Sequence, residues 1–259
     1  MKKAIRTSTR QYAKDLVKYS EKVAAKFDPD IIHSLRTTFK KLRALLRWQK
    51  ANKKIYMQFK KIYDVVGEIR IVQVAKEMLK KEKGVPPGFK VWLTTKLAEK
   101  KKKWNNVYCK TVLNTLPNQF ENLQIHPSAN KKFFCKRIEQ IGALISAGPV
   151  SDTSLHDIRK MTKDMQYILE WEKNRYITKG LRKSISVRQL KDTGNQIGKF
   201  NDTRMLITLL VNYRKQENQK VAIDKINPLI KKWRQNKLIQ KEKLINRLSE
   251  PGWRWAKTH

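Results

Sequence analysis

The chain has 259 residues and carries 59 Lys and Arg against 22 Asp and Glu, a formal charge of +37. Forty per cent of it is hydrophobic, with 7 Trp, 8 Tyr and 8 Phe, which excludes a disordered basic tail, and 9 Gly with 8 Pro are too few for a turn-rich sandwich or barrel. No run of 18 apolar residues offers a membrane span, and two cysteines, Cys109 and Cys135, are too few for a disulfide scaffold or a zinc site.

Helical periodicity dominates from the start. Tyr12, Leu16, Tyr19, Val23 and Phe27 recur at intervals of three or four. Asp28-Pro29 reads as an N-cap with proline at the first helical position. The stripe Ile32, Leu35, Phe39, Leu42, Leu46 follows, and then Ile55, Phe59, Ile62, Val66, Ile69, broken by Gly84 and Pro86-Pro87. A fourth helix is expected from Lys90 to Leu116, and Pro117 to Asn130 reads as a central loop.

The second half repeats the style. Lys131 to Ala147 reads as a helix that stops at Gly148-Pro149. Ser151-Asp152 can cap a helix carrying Leu155, Ile158, Met165, Ile168 and Leu169. A helix from about Ser184 runs through Leu190 and Ile197 toward Lys215, with Gly194 and Gly198 inside it. The last spans about Lys220 to Leu248, with an early kink expected at Pro228. No stretch sustains strand alternation, so the expected fold is all-α, about eight helices in two bundles.

The charge belongs to the whole fold. Up to Asn130 the chain has 30 basic and 10 acidic residues, and after it 29 and 12, so the halves carry +20 and +17. Such a surface repels itself until a polyanion neutralises it. Nucleic acid, a linear phosphate polymer and an anionic membrane all qualify. The first residues, Met1 to Arg10, are basic but lack the apolar stretch of a secretory signal. With so few cysteines, the expected compartment is a reducing cytoplasm.

Two basic lines are more specific than the total. His33, Arg36, Lys40, Arg43 and Arg47 fall within an arc of roughly 80° on one helix. Each follows a member of the apolar stripe by one residue, so the line borders the buried face instead of opposing it. His156, Arg159 and Lys163, with Lys160 beside them, repeat the design 123 residues later, after which Gln166 and Glu170 weaken it. Like charges at these spacings destabilise a helix by about 0.2–0.5 kcal/mol per pair, and a bound polyanion reverses that sign.

His33-Ser-Leu-Arg36-Thr-Thr-Phe-Lys40-Lys41-Leu-Arg43 resembles the first signature of the CHAD family, the conserved histidine α-helical domain. His156-Asp-Ile-Arg159-Lys160-Met-Thr-Lys163-Asp-Met-Gln-Tyr167 is similar to its second signature. Gly67-Glu-Ile-Arg70 and Gly198-Lys-Phe-Asn201-Asp202 are further matches, and the resemblance spans about Thr9 to Leu248. It implies one domain of two four-helix bundles, residues 9–116 and 131–248, joined by the loop 117–130 and related by a pseudo-twofold. It also implies binding of inorganic polyphosphate in a basic channel where the two His-led helices meet, often in association with polyphosphate granules. The residues so implicated are His33, Arg36, Lys40, Arg43, Arg47, Arg70, His156, Arg159, Lys160 and Lys163. The chain departs from the pattern at Ile71, where an acidic residue is usual, and at Gln166, where a basic one is common. The first-half helix is therefore expected to carry more of the binding.

Residue chemistry assigns the roles. Arginines suit bidentate contact with phosphate oxygens, and lysines act as mobile point charges. Phosphate near the histidines raises their pKa, so binding should tighten as pH falls through the histidine range. Arg70 can reach the channel or pair with Glu68 or Asp202, Asp202 orients a basic side chain, and Gly67 and Gly198 permit close packing. Lys100 to Lys103 read as a solvated face, and Trp253 and Trp255 as packing of a terminal segment. His126 has no ligand-like neighbours in sequence, and His259 is the last residue.

No phosphate loop, nucleophile elbow, metal constellation or carboxylate cluster is legible, so a binding protein without catalysis or cofactor is expected. Two alternatives remain: a nucleic-acid binder using the same phosphate electrostatics, and a polyphosphate-processing enzyme.

Overall fold

A computed structural model describes residues 2–51, 54–108, 113–120, 130–171 and 186–250, and the regular structure among them is helical throughout. Eight α-helices are present among these residues: α1 (Lys2–Lys26), α2 (Pro29–Trp48), α3 (Lys54–Leu79), α4 (Pro87–Val107), α5 (Asn130–Ser146), α6 (Asp152–Trp171), α7 (Val187–Gln216) and α8 (Lys220–Ser249). A 3₁₀ turn covers Asn118–Phe120. Cys109, His126, Trp253, Trp255 and His259, most of the central loop, and the start expected at Ser184 lie outside the described residues.

Local chemistry accounts for most of the boundaries. Phe27 closes α1 with φ 51°, and its ring meets Trp104 edge-on at 6.3 Å. Two residues later α2 begins. The Asp28 carboxylate accepts from the backbone N–H groups of Asp30 and Ile31 at 2.9 and 3.0 Å, with Pro29 at the first helical position. Gly148, at φ 105°, follows the end of α5, where only glycine is unstrained. Ser186 caps α7 by accepting from the Gln189 N–H at 3.2 Å.

Two boundaries differ from the sequence expectation. Helix α1 begins at Lys2, nearly three turns before the Tyr12 stripe, because Ile5 and Thr9 continue its buried face. Helix α4 ends at Val107 instead of continuing to Leu116. Asn105 and Asn106 are poor helix formers, Tyr108 turns extended (ψ 118°), and its ring stacks on buried Trp104 at 5.3 Å. Pro228 is accommodated inside α8, which runs on to Ser249.

Helices α2 and α6 occupy the middle of the molecule and pack against each other. All of Ile32, Leu35, Phe39, Leu42 and Leu46 are buried, and so are Ala44, Leu45 and Trp48. On α6, Leu155, Ile158, Met165, Ile168 and Leu169 are joined in the interior by Thr162, Asp164 and Gln166. Apolar burial forms two clusters. The larger surrounds α2 and α6 and takes residues from α1, α3, α5, α7 and the end of α8. The smaller joins Val72, Leu79, Phe89 and Leu93 to Leu206, Tyr213, Ile226 and Trp233. Both therefore draw on residues from either side of the central loop.

Candidate anion-binding site

The positions matched by the two basic lines face each other. Lys40 on α2 has Arg36 and Arg43 beside it on its own helix and Arg159 and Lys163 across from it on α6, all close enough to depress its pKa. Arg36 likewise feels Arg159 and, from α3, Arg70. Six cations from three helices thus converge. Burial is the largest cause of the depressed pKa at Arg36, Lys40 and Lys163, with neighbouring positive charge adding to it at each; the Lys163 amine is brought down to about 8.

Glycines make this convergence fit. A Cβ at Gly67 would run into Arg36 Nη1. One at Gly194 would lie 2.7 Å from Lys163 Cε, and one at Gly198 would lie 3.4 Å from the Arg159 guanidinium. The expected close packing at Gly67 and Gly198 is real, but what crosses each glycine is a cationic side chain. The two arginines are fixed in the same way. Arg36 Nη1 donates to the Tyr63 carbonyl at 3.2 Å, and Arg159 Nε donates to the Gly194 carbonyl at 3.3 Å. Each acceptor sits four residues before the glycine that its arginine crosses. The Arg36 guanidinium also lies over the Tyr63 ring, 4.5 Å from its centre. Tyr63 carried no sequence signal except its place one helical turn before Gly67.

Asp64 acts on Arg36, and Glu170 and Asp192 act on Lys163, but Asp202 is the acidic residue that reaches most of this group, close to Arg159, Arg70, Lys40 and Arg36. Those cations pull its pKa down, yet burial outweighs them and pushes it up. Its side chain is nonetheless open to water. Glu68 pairs instead with Lys100 and Lys103 at 2.9 and 2.8 Å, so part of the Lys100 to Lys103 run ties α4 to α3.

The histidines flank the cations. His33 is exposed, with its Nε2 3.4 Å from the Thr37 hydroxyl, and its pKa is lowered by burial and then by Arg70 and Lys40. His156 is lowered by burial and then by Lys160 and Arg204, and its Nδ1 is buried without a hydrogen-bond partner among the described residues. Arg204, one turn past Asn201, was missing from the sequence reading.

Three expected residues have partners that compete with an anion. Arg47 Nη1 donates to Asp164 at 2.9 Å, and Asp164, 4% exposed, also has Arg137 at 4.0 Å. Lys160 pairs with Asp157 at 2.9 Å. Lys163 donates to Gln166 and Asn195 at 2.8 and 2.9 Å, and Gln166 donates on to Glu170 at 2.7 Å, so the two residues that weaken the second line restrain its last lysine. Of the expected set, Arg36, Lys40, Arg43, Arg70, Arg159 and Lys163 are together; Arg47 and Lys160 lie beyond Arg43 and are each held in an ion pair.

No group of His, Cys, Asp and Glu among the described residues has the makings of a metal site. No helix among them is long and apolar enough to cross a membrane.

A family model described as the CHAD domain matches residues 7–211. Among solved structures, the CHAD domain from the plant Ricinus communis is similar, with a TM-score of 0.77 at 15% identity over 98% of this chain and 92% of that one. PptA from Streptomyces chartreusis gives a TM-score of 0.74 at 9% identity, over 98% and 99%. No curated protein sequence matches. At these identities the two structures establish a shared fold.

Proposed function

The chain belongs to the CHAD family, and on that footing we propose that it binds inorganic polyphosphate between the two His-led helices, as a non-catalytic binding protein of the cytoplasm that associates with polyphosphate granules. The observation that carries this reading is the meeting of Arg36, Lys40, Arg43, Arg159 and Lys163 from α2 and α6. Such a cluster costs folding free energy, and a chain of phosphates supplies the missing negative charge. The two-bundle pseudo-twofold belongs to the same proposal. It is supported by the paired arrangement of Arg36 over Gly67 and Arg159 over Gly198.

Competition binding tests this. Labelled long-chain polyphosphate is challenged with unlabelled polyphosphate, single-stranded DNA and duplex DNA, at low and near-physiological salt. Polyphosphate alone is expected to compete at the higher salt, since generic phosphate attraction fades there. The combined variant His33→Ala/Arg36→Ala/Arg159→Ala is expected to bind about 100-fold more weakly or worse. Equal competition by DNA per phosphate, with the variant binding like the wild type, would leave only a generic basic surface. Phosphate release, with and without magnesium, tests the non-catalytic part; steady release would make the protein an enzyme.

The glycines give a graded check. Gly67→Ala is expected to displace the Arg36 guanidinium and weaken polyphosphate binding about tenfold, or ~1.4 kcal/mol. Gly198→Ala, with looser contacts at 3.4 Å, should cost about two- to threefold. Neither should unfold the protein, because alanine in mid-helix is favoured over glycine by up to about 1 kcal/mol. Titration beside thermal unfolding separates the two effects, and equal binding by both variants would contradict the assigned crossings.

A further inference from the structure

A cavity of about 1040 Å³ opens between α2, α3, α5 and α6, beside the cation cluster. Arg43 belongs to both: it neighbours Lys40 and it lines the cavity. Its guanidinium lies over the rings of Phe39 and Tyr63, 5.7 Å from each centre, and its Nε is buried without a hydrogen-bond partner among the described residues. The walls carry further cations, Arg47, Lys50, Lys60, Arg137 and Lys160, but beside them lies a surface unlike a phosphate track. Met57, 49% exposed, and Met161, Leu144 and Phe39 face the space, and none of them gains anything from inorganic phosphate.

We propose that this cavity takes the nucleoside of a nucleoside polyphosphate, whose phosphates run from Arg43 onto Lys40 and its neighbours. The volume is ample for a nucleoside and the first phosphates. Two methionine thioethers favour an aromatic ring. Polar groups argue for a base and ribose over a hydrocarbon tail. Gln140 accepts from Arg137 through its Oε1 at 2.9 Å, which leaves its Nε2 to donate to a base. Asp157 lines the same space and can accept from a ribose hydroxyl. A hydrocarbon would desolvate both without replacing their hydrogen bonds. The proposal rests on phosphate binding by the central cluster and adds a selective end to it.

The test compares adenosine 5′-tetraphosphate with inorganic tetraphosphate by titration of the full chain. Inorganic tetraphosphate carries more charge, so electrostatics alone favours it. The wild type is expected to bind the nucleotide at least tenfold more tightly. Ala143, exposed on the cavity wall, can be enlarged without disturbing the core. Ala143→Trp should abolish the nucleotide preference while long-chain polyphosphate binds as before, and Gln140→Leu should reduce it. A nucleotide bound no more tightly than inorganic tetraphosphate sinks the proposal and leaves the polyphosphate reading intact. So does a preference that survives Ala143→Trp. If neither tetraphosphate nor long-chain polyphosphate binds, both readings fall.

Discussion

Lys40→Met is expected to stabilise the ligand-free protein and weaken its grip on polyphosphate together. The Lys40 amine sits among Arg36, Arg43, Arg159 and Lys163, and burial followed by those four charges drives its pKa well below the usual lysine value. The nearby carboxylate, Asp202, is shared with three other cations. Methionine keeps the aliphatic stem and removes the charge. The free protein should gain about 1–2 kcal/mol. For a domain of this size that is a rise of a few degrees in Tm. Polyphosphate affinity should fall about 10- to 100-fold, since one cation of the cluster is lost. Thermal unfolding and titration of the same preparation read both numbers. A lower Tm with unchanged affinity would mean that the cluster is not where the anion binds.

The second large effect is proton uptake on binding. His33 and His156 have pKa values held below that of free histidine, and the Lys163 amine is at about 8. Near pH 8 the histidines are neutral and Lys163 is half-charged. A bound chain of phosphates favours the charged forms, so each of these pKa values rises and protons are taken up. Affinity therefore falls as pH rises, first through the histidine window that begins below 6.5 and again above about 8. Each unit of pKa shift is tenfold in affinity. Stability of the free protein slopes the other way. The Lys163 pKa is lower folded than unfolded, so its penalty is complete below about 8 and disappears as pH rises from there toward 10.5. The histidine penalty is lost as pH rises through the range below 6.5. Calorimetric titration in buffers of different ionisation enthalpy counts the protons directly. An affinity flat from pH 6 to 9 would rule out any part for Lys163 in binding.

Most of the fold was legible because α2 and α6 write their burial at helical spacing, with the basic line one residue behind it. The meeting of Arg36 with Arg159 and of Lys40 with Lys163 followed from the repeat once the two helices were taken as neighbours. What stayed illegible depends on elements far apart in sequence. The claim of Asp164 on Arg47 and Arg137 needs α5 beside the α2–α6 contact, which no spacing announces. The carbonyls of Tyr63 and Gly194 hold the two arginines, and a backbone oxygen leaves no mark in a side-chain pattern. The ion pair of Lys160 was legible without any tertiary information. Lys160 sits beside the line on the helix wheel, and its partner Asp157, three residues earlier, was in plain view.

The crossed apolar clusters have a consequence for how the chain is made. Val72, Leu79, Phe89 and Leu93 leave the ribosome long before Leu206, Tyr213, Ile226 and Trp233, the residues that cover them. At about 5–20 residues per second that interval is roughly 6–30 s. Through it, the end of α3 and the start of α4 must remain solvated next to the dense charge of their own half. Their lysines then serve as gatekeepers against aggregation, and folding of the whole protein waits on its C-terminal helices.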